Sequence, residues 1–371
     1  MNSKIHSMKI LFISFIIFIQ CNKQTENEAS VEAADDSMNI GYENTDNNQN
    51  TDNSRPYIPS STNNSTVTSS ITTSTITIVN DNQNDGGVNS IDDVQSSNND
   101  DSNIQIDPDR YIKEIFNKVE ITKDIVFAEV KNSQNKTKKL RLDLFQPKGD
   151  TLSKRPAIMF MIGGGFVTCN KSSMTSMATT FAKRGYVTIS IEYRTNANAG
   201  SQNILSNEEF GNKVILDAQH DAQAGIRWLR ANATKYKIDQ DTIIAAGASA
   251  GGVLALQVTY NYEDTGDSGN AGYSSNTSAA VSLKGALLDP LHLMLAGDPP
   301  LIMFHGTKDT TVPYSLAVAT KERAEALQIP IEFYPYEGGG HNAVQIDDPD
   351  IIKKTALFLA SKVLQISVPI E

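Results

Sequence analysis

After Tyr111 the chain moves between two hydrophobic rhythms. "DIVFAEV" (124–130) and "LRLDLFQ" (140–146) set apolar and polar residues in turn, as half-buried antiparallel strands do. "RPAIMFMI" (155–162) is a continuous apolar run, the mark of a strand covered on both faces. "MATTFAKRG" predicts a helix closed by Gly185, and "YVTISIEY" predicts the next strand. "NKVILDAQHDAQAGIRWLRANATKY" predicts one long amphipathic helix over 212–236, with Ile215, Ala218, Ala222, Ile226 and Leu229 along one stripe. The strand "DTIIAAG" and a helix after Ser249 follow. Next come the strands "AVSLKGALL" (280–288) and "PLIMFHG", the helix "SLAVATKERAEAL", the strand "IPIEFYPY", and a last helix around 351–363. This alternation predicts an α/β fold: a doubly wound, mostly parallel sheet of about eight strands with an antiparallel start.

No such rhythm precedes it. From about Asn22 to Ile106 the chain is dominated by Asn, Ser, Thr, Asp and Gln, with Tyr42 and Tyr57 its sole aromatics. Such a stretch cannot bury enough apolar surface to offset chain entropy, so 22–106 is expected to be a disordered tether. "STVTSSITTSTITIV" (65–79) is β-forming and could pair transiently. The folded domain is expected over 107–371.

Charge supports this division. The formal net charge is −11, but 16 acids face 3 bases between Asn22 and Arg110, and the rest is close to neutral. The acidity therefore belongs to the tether. No basic stripe appears, which argues against a nucleic-acid partner.

The first 21 residues read differently again. Lys4, His6 and Lys9 precede the run Ile10–Ile19, in which Ser14 is the one polar residue. The run is short for a bilayer span and suits the core of a secretory signal. Cys21 follows at once. The segment resembles a bacterial lipoprotein signal, with Cys21 the lipidated residue, although Phe18, Ile19 and Gln20 replace the usual small residues. That resemblance implies an exported protein, anchored to a membrane and facing periplasm or cell surface. The second cysteine, Cys169, lies past a glycine run with no base near it in sequence, and reads as a packed thiol.

The candidate chemistry centres on Gly247-Ala248-Ser249-Ala250-Gly251, a G-x-S-x-G at a strand-to-helix junction. A serine at the tip of so sharp a turn crowds the positions two before and two after it, so both favour glycine. A serine hydroxyl needs a base. His6 lies in the signal, His220 inside a helical run, His292 in a short connection, and His305 at the end of a buried strand. His341 follows "YEGGG" on a loop after the final strand, and Asp309 lies on the loop after "PLIMFHG". The order Ser249, Asp309, His341 then places a nucleophile, an orienting carboxylate and a base at three strand ends. "MIGGGFV" lacks the Gly-Lys-Ser/Thr of a phosphate-binding loop. It reads instead as an oxyanion hole, with the N–H groups of Gly164, Gly165 and Ala250 as donors. There is no Cys/His cluster at metal spacing, and neither metal nor cofactor is implied.

Together "GGGF", "DAQAGIRWLRANATKY", "GASAGG", "GALLD", "GDPPLIMFHGTKDTTVPY" and "EGGGHN" resemble the α/β-hydrolases of the esterase/lipase group, close to bacterial carboxylesterases and acetyl- or feruloyl-esterase-like proteins. The resemblance implies hydrolysis of carboxylic esters through an acyl-enzyme. One departure stands out: Ile162 occupies the place where the family commonly has histidine, and a less firmly held oxyanion loop is expected. The interval between the strands at 280–288 and 300–306 leaves little room for a cap domain. An open site suits short acyl esters, or acyl groups on a carbohydrate, better than long lipid chains or peptides. Residues 194–211 could form a small lid or an ordinary surface loop. The alternative from another class is a surface-displayed binding protein that keeps the fold and has lost turnover.

Overall fold

The computed structural model describes residue 107 and residues 109–368. The signal segment, Cys21 and the tether therefore lie outside the described residues. The strands are β1 Val119–Lys131, β2 Thr137–Pro147, β3 Arg155–Met161, β4 Val187–Ile191, β5 Ile238–Ala248, β6 Ala279–Leu283, β7 Leu301–Gly306 and β8 Ile331–Tyr336. They form one eight-stranded sheet in the order β1-β2-β4-β3-β5-β6-β7-β8. β2 pairs antiparallel with both β1 and β4, and every other neighbouring pair is parallel.

The central strands are buried along their whole length, which is why they read as apolar runs. Their side chains divide between the two faces. Ala157, Met159 and Met161 of β3 join one apolar cluster, and Ile158 and Phe160 join another. The first face is covered by helices α3 (Glu208–Ala231) and α4 (Ala250–Tyr260), and the second by α1 (Thr175–Ala182) and α6 (Pro349–Phe358). Helix α5 (Tyr314–Ala326) closes a third cluster with β6 and β7. β8 is half-buried and contains Pro335, which an edge strand tolerates because its free side needs no ladder donor.

Three boundaries differ from the sequence expectation. The 212–236 helix begins earlier, at Glu208, because Asn207 caps it by accepting the Phe210 N–H at 3.2 Å. It also breaks at Asn232, and a separate turn, Ala233–Tyr236, follows before Lys237 enters the left-handed region at φ 51°. The predicted strand 280–288 stops at Leu283. Lys284 gives the last ladder bond, N–H to the Phe304 carbonyl at 2.7 Å, and its φ of 46° then turns the chain out of the strand.

The chain between β4 and α3 is a built segment. It contains the short helix α2 (Ser201–Ser206), packed on the first turns of α3. Arg194 anchors its start: the guanidinium meets Asp221 Oδ1 of α3 at 2.9 Å, and the backbone N–H donates to Oδ2 at 2.7 Å. Ser268 completes the network by donating to Asp221 at 2.7 Å. The Asp221 side chain is fully buried. Removing one partner of a buried pair strands the other charge, at a cost of about 3–5 kcal/mol. Asp221→Ala is therefore expected to lower unfolding stability by that amount in urea titrations. A loss under about 1 kcal/mol would show that the network does not anchor the segment.

Candidate active site

The site begins with backbone geometry. β5 enters α4 through Ser249, which sits at φ 56°, ψ −122°. A residue with a Cβ pays about 1–3 kcal/mol in such a region and persists there only when its surroundings force it. Here the Ser249 N–H donates to the Leu283 carbonyl of β6 at 2.9 Å, and the Val253 N–H donates back to the Ser249 carbonyl at 2.9 Å. The turn is so tight that a Cβ on Gly247 would overlap the Gly251 carbonyl, and one on Gly251 would overlap the Met161 carbonyl of β3. Sheet, turn and helix thus meet with no room for a methyl group.

Asp309 follows β7, with its side chain fully buried. Its Oδ1 accepts the N–H groups of Thr311 at 2.9 Å and Val312 at 3.0 Å. Its Oδ2 accepts Nδ1–H of His341 at 2.7 Å. A carboxylate can only accept here, so His341 carries its hydrogen on Nδ1 and Nε2 is left with a lone pair. That Nε2 stands 2.8 Å from Ser249 Oγ, which donates to it. Residues 249, 309 and 341 are thus joined in one hydrogen-bonded chain.

The loops that carry Asp309 and His341 are stitched together. The Lys308 N–H donates to the Gly339 carbonyl at 2.8 Å, and the Gly338 N–H donates to Thr307 Oγ1 at 2.8 Å. His341 opens a short 3₁₀ turn and keeps its side chain 17% exposed, whereas the carboxylate is sealed from solvent.

The Gly163–Phe166 loop lies against the same serine. A Cβ on Gly163 would come within 2.7 Å of Ser249 Cβ. Gly164 takes φ 141° and is held by the N–H groups of Val167 and Thr168, which donate to its carbonyl at 2.9 and 3.2 Å. The expected looseness at Ile162 is corrected by a residue that sequence reasoning missed. The Tyr193 hydroxyl donates to the Ile162 carbonyl at 2.6 Å, and the Asn196 N–H donates to the Phe166 carbonyl at 2.9 Å. The isoleucine side chain packs on the second apolar cluster. The N–H groups of Gly164 and Gly165 meet no acceptor among the described residues.

Beside Ser249 lies a cleft of about 460 Å³, open to solvent at its mouth. Phe166, Ile204, Leu205, Ile215, Val253 and Leu316 give it apolar walls. Two of these come from α2, so the 194–211 segment is a wall of the cleft. No cluster of His, Cys, Asp and Glu suited to a metal occurs among the described residues. Cys169 is half-buried, and burial pushes its thiol up to about 11, away from a reactive thiolate. His220 and His292 each pair with a neighbouring carboxylate, of Asp264 and Asp289, away from the serine.

An eight-stranded sheet of this order, with a serine elbow after β5, a carboxylate after β7 and a histidine after β8, is the α/β-hydrolase fold. The chain is similar to esterases of that fold. The family described as BD-FAE matches residues 142–286. A probable isoprenylcysteine alpha-carbonyl methylesterase of Arabidopsis thaliana is 25% identical over 251 residues, covering 56% of this chain and 50% of that protein. Esterase LipC of Mycobacterium tuberculosis is 22% identical over 245 residues, covering 56% of this chain and 57% of that protein. The chain thus spans about half the length of these curated relatives. Thermogutta terrifontis esterase 2, solved with propionate bound, superposes with a TM-score of 0.56 at 24% identity, covering 68% of this chain and 97% of that one.

The elbow makes a prediction of defined sign. In an ordinary helix Gly→Ala stabilises by about 1 kcal/mol. At Gly251 the added methyl strikes the Met161 carbonyl, and overpacking of this kind costs about 1–3 kcal/mol. Gly251→Ala is expected to lower the thermal midpoint, and a raised midpoint would refute the close-approach account.

Proposed function

We propose that this chain is a serine esterase acting on short-chain acyl esters, including acyl groups on a carbohydrate. One observation carries the reading. The Ser249 hydroxyl, His341 ring and Asp309 carboxylate are linked at 2.8 and 2.7 Å beside an apolar cleft.

The steps follow from which atoms hold hydrogen. Ser249 Oγ attacks the ester carbonyl carbon as His341 Nε2 takes its proton. The carbonyl π pair moves to oxygen, where the N–H groups of Gly164, Gly165 and Ala250 are the proposed donors. Each such donor is worth about 3–4 kcal/mol of barrier. The tetrahedral centre collapses, the C–O bond to the alcohol breaks, and Nε2–H protonates the leaving oxygen. Water then gives a proton to the same nitrogen and attacks the acyl-enzyme, and its collapse returns Ser249 with its hydrogen. Asp309 stays ionised throughout. It holds the ring in the Nδ1–H tautomer and stabilises the imidazolium.

The apolar walls suit a small acyl group, because a methylene chain that outgrows the cleft must displace packed side chains. The alcohol side meets open solvent, which leaves room for a sugar. Propionate and butyrate occupy solved structures of the Thermogutta esterase, in keeping with a short acyl chain. The competing idea of a binding protein without turnover leaned on Ile162, and the Tyr193 bond to that carbonyl takes the support away.

Purified protein is expected to hydrolyse p-nitrophenyl acetate, and Ser249→Ala to lower kcat more than about a thousandfold. Across p-nitrophenyl esters kcat/KM should peak between acetyl and butyryl and fall at least about tenfold by octanoyl. Equal rates for wild type and Ser249→Ala would end the esterase reading, and a rising series would end the short-acyl one.

We also propose export and lipid anchoring through Cys21, on the strength of the apolar run before it. Expressed from residue 1 in a bacterium, the protein should partition with membranes and carry an acylated Cys21 by mass spectrometry. Cys21→Ala should abolish the acyl mass. An unmodified Cys21 in the mature wild-type protein would defeat this proposal.

A further inference from the structure

The Asp309 carboxylate has a close neighbour that the reaction steps leave unused. His305 of β7 is fully buried, four residues before the aspartate. Its Nε2 lies 2.9 Å from the Val312 carbonyl oxygen and 3.3 Å from Asp309 Oδ2. Both oxygens can only accept, so Nε2 carries the hydrogen; it donates to the Val312 carbonyl and lies close to Oδ2 without bonding it. Nδ1 makes no hydrogen bond. Burial holds the ring below its ordinary pKa, although Val312, Asp309 and the Gly285 backbone favour the charged form. A neutral ring with hydrogen on Nε2 fits the Val312 contact and leaves Nδ1 without a hydrogen bond.

The consequence concerns the carboxylate. Oδ1 is fixed by two backbone donors, whereas Oδ2 accepts from His341 and has His305 Nε2 3.3 Å away. The His305 hydrogen therefore ties the Val312 carbonyl, and through Val312 a wall of the cleft, to the rigid strand, and it stands beside the oxygen that His341 uses. The other groups that face this pair are few. Lys284, at the end of β6, acts on Asp309 through its charge and is itself held below its ordinary pKa by burial. The Tyr314 ring of α5 lies 6.0 Å from the His305 ring, and His341 approaches from the loop after β8.

We propose that His305 is a positioning residue for the relay: its Nε2–H, bonded to the Val312 carbonyl and 3.3 Å from Asp309 Oδ2, sets a positive dipole beside the carboxylate oxygen presented to His341 and draws charge from it. The inference rests on the esterase reading. The sign of its effect on pH dependence follows directly. Without the donor, Oδ2 keeps more negative charge and stabilises the His341 imidazolium more strongly. The base is then ready for attack only at higher pH.

The test uses kcat/KM against pH for p-nitrophenyl acetate with wild type, His305→Phe and His305→Gln. His305→Phe is expected to lower kcat about tenfold with KM changed less than about twofold, and to move the acid limb upward by about half a pH unit. His305→Gln retains a side-chain N–H and should recover part of both changes. A folded His305→Phe with an unchanged acid limb and kcat overturns the proposal. Nitrogen-15 histidine spectra of the wild-type protein give a second readout, independent of how the variants fold. They should show His305 neutral with hydrogen on Nε2 from about pH 6 to 9, and a hydrogen on Nδ1 instead overturns the proposal. Absence of hydrolysis by wild type would sink the esterase reading, whereas the spectra bear on His305 alone.

Discussion

The structure turns on one strained residue. Ser249 holds a backbone conformation that side chains avoid, and it does so because two rigid bodies leave it no alternative. β5 is paired on both sides, with β3 and β6, so its last residues cannot rotate. α4 starts immediately and is buried from Ala250 to Tyr260, so it cannot tilt away. The turn between them must reverse direction within one residue. The energy stored there is small beside the burial of β5 and α4, and it projects the serine hydroxyl out of the sheet into the cleft.

The remaining groups arrive by the same logic of strand ends. In a parallel sheet every strand delivers its C-terminal end to one edge, so residues far apart in sequence converge there without any local signal joining them. Ser249 and His341 are 92 residues apart, and His341 and Asp309 are 32 apart. The bond from the Lys308 N–H to the Gly339 carbonyl, with that from the Gly338 N–H to Thr307 Oγ1, sets the spacing of the two loops. The relay thus inherits its precision from backbone bonds on a rigid sheet rather than from flexible side chains.

This explains what could be read from the chain alone. All eight strands announce themselves as apolar runs or alternations, because burial on one or both faces writes directly into composition. Ser249, Asp309 and His341 stand at the ends of those strands, so their order was legible too. Tyr193 was not. It lies at the end of the "YVTISIEY" run and looks like one more apolar strand residue, and its hydroxyl contact with Ile162 is 31 residues away in sequence. The helix Ser201–Ser206 was equally hidden, since a six-residue helix carries too little periodicity to show. The end of β6 at Leu283 escaped for a related reason. "KGALL" continues the apolar pattern, but Lys284 makes the last ladder bond to Phe304 and turns out of the strand at φ 46°. Contacts between distant elements leave no trace in a local pattern.

Ile162 shows how such hidden contacts alter a functional inference. A histidine at that place would bring side-chain hydrogen bonds to the glycine loop, and isoleucine removes them. What the loop requires, however, is a fixed backbone, and a backbone carbonyl can be held by a donor from elsewhere. The Tyr193 hydroxyl supplies that donor from the end of β4, while the ring itself is buried against Phe166 at 6.1 Å between centroids. Phe166 belongs to the same loop and to the cleft wall. A single tyrosine therefore ties the loop's backbone at one end and its aromatic side chain at the other. The apolar Ile162 side chain is free to join the core beneath. Exchanging a polar side chain for core packing in this way moves the hydrogen bond to another residue without loosening the loop.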